Sequence, residues 1–131
     1  MSASSRTRSV NPFGETTSTD LPTTAGAVDT SCGADGFCDG GSADVFVTKL
    51  DPTGSALAYS TYLGGTGYER TTGIALDDTG TVHIGGYTQS SDFPATAGAF
   101  DQTHNPGGDG YDGIYARMDR DLSKLHYSTY L

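Results

Sequence analysis

The residues best suited to chemistry in this chain are its carboxylates. Acidic loops carry Asp29, Asp35, Asp39 and Asp44 in one stretch and Asp101, Asp109 and Asp112 in another. Calcium takes six to eight oxygen ligands, and flexible Asp/Gly loops supply them. Asp44 and Asp112 are the ligand candidates, because an internal repeat of the chain keeps both. No stretch follows the EF-hand spacing D-x-[DN]-x-[DN]-G-x₅-E. Solvated or turn-capping aspartates are therefore the leading account, and no cofactor is expected, with calcium as the alternative.

The other reactive side chains are few. Cys32 and Cys38 stand in CGADGFC. Two glycines among the five intervening residues allow a small disulfide ring, which suits an oxidising compartment. Free thiols are the alternative, and two thiols alone cannot close a structural zinc site, which takes four ligands. His83, His104 and His126 have no paired serine, cysteine or carboxylate in the sequence pattern, so no nucleophile–base constellation is implied and the chain is expected not to be an enzyme. Asp78-Thr79-Gly80-Thr81 matches part of the Asp-box of sialidase propellers, but Leu76 and Val82 replace the serine and aromatic that motif wants. An aspartate-capped hairpin turn accounts for it better. Tyr68, Tyr87 and Tyr111 lie near or in loops, where aromatic faces can stack on sugars.

What positions these groups is a repeat. Shifted by 68, residues 44–63 (DVFVTKLDPTGSALAYSTYL) fall on 112–131 (DGIYARMDRDLSKLHYSTYL), with nine of twenty positions identical. Shifted by 72, residues 18–29 (STDLPTTAGAVD) fall on 90–101 (SSDFPATAGAFD), with eight of twelve identical. The loop before Asp44 is thus four residues longer than the one before Asp112, and both cysteines lie in that longer loop. Self-similarity at this period marks a repeat architecture. His83 and His126 replace Asn11 and Ala58 of the other copy, so neither belongs to the repeat.

Each unit reads as short strands. Alternating residues predict strands over 45–50, 57–63, 72–76, 81–88, 114–118 and 125–131. Asp51-Pro52-Thr53-Gly54 and Asp77-Asp78-Thr79-Gly80 supply hairpin turns. At residues 10–14 the first copy is degraded, since Pro12 cannot donate to a sheet ladder. No window has convincing 3.6-residue apolar periodicity. The expected fold is all-β, with antiparallel strands in fours as in a propeller blade: one complete blade and a partial one before it. Residues 1–9 are expected to be disordered, 10–63 to form a partial repeat with the cysteine loop as an insertion, and 64–131 a complete repeat. Tyr59, Tyr62, Tyr127 and Tyr130 recur in register and are expected to pack in the core or between blades.

Composition agrees with many short strands and turns. Of 131 residues, 19 are glycine, none is tryptophan and 34% are hydrophobic, against the roughly 45–50% usual for globular domains when glycine is also counted. A net charge of −9 argues against a nucleic-acid partner, which needs a basic face, and against an anionic membrane surface. No apolar run approaches the ~18 residues of a membrane-spanning helix, so no membrane insertion is expected. MSASSRTRSV has no apolar h-region and does not read as a secretory signal.

DVFVTKLDPTGSALAYSTYLGG followed by GIALDDTGTVHIGGYTQSSDFPATAGAF resembles the SBBP-type β-propeller repeat of bacterial surface and secreted proteins, over about residues 9–131. The resemblance implies an extracellular or cell-surface location and no established catalytic residues. The implied role is a scaffold, adhesion or protein-interaction segment of an exported protein. Its partners would be neighbouring blades of the same or another chain, with a protein or glycan ligand beyond them. A calcium-dependent or carbohydrate-binding module is the alternative. Propellers close with about four to eight blades and fewer than two are present here, so a piece that needs partners is expected.

Overall fold

The computed structural model describes residues 12–33, 43–105, 108 and 110–131. Cys38, Asp35, Asp39, Asp109 and the segment 1–9 lie outside them. Seven strands are present among the described residues and no helix: β1 (Phe13–Thr16), β2 (Asp44–Leu50), β3 (Leu57–Leu63), β4 (Glu69–Leu76), β5 (Val82–Thr88), β6 (Asp112–Met118) and β7 (Leu125–Tyr130). They form two antiparallel sheets, β1-β2-β3 and β4-β5-β6-β7. All six predicted strands form. β4 begins three residues earlier than apolar alternation suggested, and a register irregularity between Thr71 and Gly73 separates that polar start from the alternating part. Pro12 stands just outside β1, and its carbonyl accepts the Thr48 N–H at 3.0 Å. An imide residue can accept but not donate, so it marks where this edge stops pairing.

Three hairpin turns share one design. Asp51, Asp77 and Asp119 each accept backbone N–H groups two to five residues onward: Ser55 at 3.0 Å, Thr79 at 2.9 Å and Thr81 at 3.1 Å, Ser123 at 2.9 Å and Lys124 at 3.3 Å. The turn at 77–81 is the aspartate-capped hairpin expected, with Asp77 as the cap. Gly54 and Gly80 take φ of 73° and 84° in these turns, and Leu122 holds the position of Gly54 with φ 56°. A non-glycine residue there is strained. It persists because the Leu122 side chain is fully buried in the core.

The matched segments at the two shifts are two halves of one interlock. In the first copy Thr24 N–H donates to Ser60 O (3.1 Å), Tyr62 N–H to Asp29 O (2.9 Å), Asp29 N–H to Thr61 Oγ1 (2.9 Å), and Tyr62 Oη–H to Ser18 O (2.7 Å). In the second, Thr96 N–H donates to Ser128 O (2.9 Å), Tyr130 N–H to Asp101 O (2.9 Å), Asp101 N–H to Thr129 Oγ1 (2.9 Å), and Tyr130 Oη–H to Ser90 O (2.8 Å). The loop after β1 or β5 thus straps the outermost strand, β3 or β7. It pairs backbone groups that an edge strand would otherwise offer to another chain. The tyrosine expectation divides accordingly. Tyr62 and Tyr130 are buried anchors of the strap, whereas Tyr59 is exposed and Tyr127 half-buried.

One core joins the sheets. Val45, Val47 and Leu63 of the first pack with Val82, Ile84, Phe93, Ile114, Ala116, Met118, Leu122 and Tyr130 of the second. Along β5 and β6 every second residue faces that core, as the two-residue period of a strand requires.

Candidate functional site

The chemistry of the molecule gathers where the sheets meet. β2 begins with Asp44 and β4 with Glu69; both side chains are fully buried. The Glu69 N–H donates to Ala43 O at 2.7 Å, which fixes the start of β4 beside the start of β2. Asp44 Oδ2 accepts the Gly33 N–H at 2.9 Å. Glu69 Oε1 accepts the hydroxyls of Thr88 (2.7 Å) and Ser90, and Oε2 accepts the Gly65 N–H at 3.2 Å. Asp44 Oδ1 has no hydrogen-bond partner. Burial pushes the Asp44 carboxyl up to about 8, partly offset by the Gly33 N–H and reinforced by the Glu69 charge; burial likewise raises Glu69. Glu15, the chain's only other glutamate, reaches from β1 to the Thr71 N–H and hydroxyl of β4, both at 3.3 Å.

The glycines after the STYL strand follow from this junction. A Cβ on Gly64 would lie 2.6 Å from Asp44 Oδ1 and against Glu69 Oε2, and one on Gly65 would lie 2.6 Å from Ser90 Cβ. Neither glycine takes a positive φ. They are glycines because side chains from three other segments fill the space.

The structure keeps the other sequence candidates apart. Asp112 occupies the register position of Asp44 in the second sheet, where its Oδ2 accepts the Asn105 N–H at 2.8 Å. Each of these two aspartates spends one oxygen on its own loop, and among the described residues no three His, Cys, Asp or Glu side chains gather as a metal cluster. Cys32 is buried, its Sγ 3.8 Å from the Thr16 carbonyl; its candidate partner Cys38 lies outside the described residues. His83 sits between Tyr115 Oη (2.8 Å) and Asp77 Oδ2 (3.1 Å), and His126 is exposed on β7. Tyr68, Tyr87 and Tyr111 do come together: Tyr111 makes edge-to-face contacts with Tyr68 (6.4 Å) and Tyr87 (6.2 Å). Beside them Arg70, Thr71, Thr72, Tyr87 and Tyr111 line a cavity of about 580 Å³.

Sequence reasoning missed Glu69. Its neighbours Arg70 and Thr71 are polar, so apolar alternation starts the strand only at Thr72 and leaves Glu69 before it. The available signal was its place shortly after a Gly-Gly pair in a chain otherwise stocked with aspartate.

An all-β repeat module with strapped outer strands is the class these features define. Residues 58–94 match the family described as the SBBP beta-propeller repeat, so this stretch of the chain is similar to one such repeat. The match runs from β3 through β4 and β5 to Pro94 and therefore straddles the junction. It takes in Tyr62, Gly64, Gly65, Glu69, Ser90 and Phe93. No curated protein matches the chain.

Proposed function

We propose that the chain is a non-enzymatic segment of a β-propeller, with β4–β7 as one complete blade and β1–β3 as a partial one. It serves as a scaffold and protein-interaction module of an exported bacterial protein, and its first partner is a neighbouring blade. A Cys32–Cys38 bridge in the loop before β2 would suit that location.

The observation that carries this reading is an asymmetry between repeat-equivalent positions. Leu63 is fully buried against the second sheet, while its equivalent Leu131 is 63% exposed. Val28 packs on the core and donates its N–H to Leu122 O at 2.9 Å, while its equivalent Phe100 is 80% exposed. Val45 and Val47 are buried, and their equivalents Gly113 and Tyr115 are half-buried. The face of β1–β3 that receives the next sheet thus recurs on β4–β7 without an occupant among the described residues. One blade's two apolar faces need covering, so stability in such arrays depends on neighbours.

The tyrosine cluster favours the second reading, a carbohydrate platform. Yet Tyr87 is directly paired with Gly113, so it shares a side of the sheet with the equivalent of the buried Val45. A following blade would cover it.

Appending a further copy of residues 64–131 after Leu131 tests the reading. A docked third repeat should unfold with the rest in one transition at a higher Tm. Two separate transitions, with the first at the Tm of the original chain, would count against it.

A further inference from the structure

We infer that Asp44 and Glu69 share a single proton, so that a carboxyl–carboxylate hydrogen bond from Asp44 Oδ1 to Glu69 Oε2 joins the two sheets. Of the four carboxylate oxygens, three accept hydrogen bonds: Oδ2 from Gly33 N–H, Oε1 from the Thr88 and Ser90 hydroxyls, and Oε2 from Gly65 N–H. Only Oδ1 has none, and it is buried. Oδ1 and Oε2 converge on the same point above Gly64. An ionised carboxylate accepts only, whereas a protonated one also donates. Two buried like charges in contact cannot both persist, and one proton relieves the repulsion and satisfies the orphan oxygen together. A calcium ion would need six to eight oxygens, and here one is unclaimed.

The groups around the pair are mostly neutral or acidic, and the nearby His104 directs its Nε2 to the Thr88 carbonyl at 3.3 Å and packs on the Tyr130 ring. From the loop before β2 come Asp29 and the Gly33 N–H; from β5 and the following loop come Thr88, Ser90 and Asp92, whose Oδ1 lies against Gly65. The Tyr62 hydroxyl lies on the Asp44 side, and the Tyr130 hydroxyl on the side of Glu69, Asp92 and Asp112. β1 contributes Glu15, which is directed to Thr71. Among the described residues, no Lys, Arg or His forms an ion pair with Asp44 or Glu69. The raised Asp44 and Glu69 agree with a retained proton.

A group raised on folding stabilises fully below its unfolded pKa, and that stabilisation fades as pH rises through the folded value. The joint should therefore hold in acid and loosen on the way to pH 8. Asp44→Asn places an N–H donor where the proton sits. The wild-type Tm should fall by roughly 5 °C between pH 5 and pH 9, and in Asp44→Asn most of that fall should vanish. Asp29, also raised by burial, leaves a residual slope. Infrared spectra at neutral pH should show the carbonyl stretch of a protonated carboxyl in the wild type and not in Asp44→Asn. If Asp44→Asn does not fold, Glu69→Gln enters the same measurements, because its amide also donates across the gap. An unchanged pH slope with no carboxyl band overturns the inference. So does a wild-type Tm at pH 8 that calcium raises and a chelator lowers, with both effects lost in the variant.

Discussion

Gly64→Ala should destabilise the chain toward the upper end of the roughly 1–3 kcal/mol that overpacking costs. The added methyl has nowhere to go, with Asp44 Oδ1 and Cγ at 2.6 Å and Glu69 Oε2 closer still. Relaxing the clash means separating the two carboxyl groups, which pulls β2 and β4 apart at the point where the sheets join. Gly73→Ala is the control, because a Cβ there meets nothing within 4 Å; its effect should stay within about 0.5 kcal/mol. Urea unfolding with the two m-values compared distinguishes lost stability from a changed native state. Equal effects would mean that Gly64 is not a packing glycine.

Tyr130→Phe should cost about 2–4 kcal/mol by removing one oxygen. The Tyr130 hydroxyl donates to Ser90 O at 2.8 Å and accepts the Phe93 N–H at 3.2 Å, and all three residues are buried. Each buried group left unpaired costs about 1–3 kcal/mol. Tyr62→Phe removes the equivalent pair, Ser18 O at 2.7 Å and Leu21 N–H at 3.0 Å. There Ser18 is exposed and Leu21 half-buried, so water can replace the hydroxyl and the loss should be smaller. Chemical denaturation of both variants checks the order; a Tyr62→Phe loss equal to or above that of Tyr130→Phe would contradict it.

Much of the fold is legible in the sequence, for identifiable reasons. Val82 and Ile84 alternate with polar residues between Asp-Gly turns, and that pattern has few outcomes other than a strand. The paired shifts of 68 and 72 mark two segments that travel together, and the strap explains why: 18–29 binds β3 and 90–101 binds β7. What the pattern cannot carry is contact between distant segments. Glu69 looks like a surface acid until Asp44, from another sheet, is set against it. Tyr59 and Tyr62 are one residue type on one strand, yet only Tyr62 points toward a loop that needs its hydroxyl. The tyrosines near loops do gather, but which face they share depends on the register of β5 against β6. Asp44 and Asp112 are equivalent positions of the repeat, and each accepts a loop N–H.

The opposed titrations bear on conditions. Asp51, Asp77 and Asp121 are held below the ordinary carboxylate value, chiefly by hydroxyls of Thr53, Thr79 and Ser123. A lowered group stabilises above its unfolded pKa and loses that effect as pH falls through its folded value. The turns therefore weaken in strong acid and the junction weakens in base, which leaves a stability maximum between them.

The central claim is that the second sheet repeats the receiving face of the first. Hydroxyl-radical footprinting tests it most directly, on the original chain and on the chain extended by a further copy of residues 64–131. The account predicts that Phe100, Leu131 and Tyr115 are labelled in the original. In the extended chain they should become as protected as Val28, Leu63 and Val47. Labelling of Phe100 and Leu131 that is the same in both chains would contradict it.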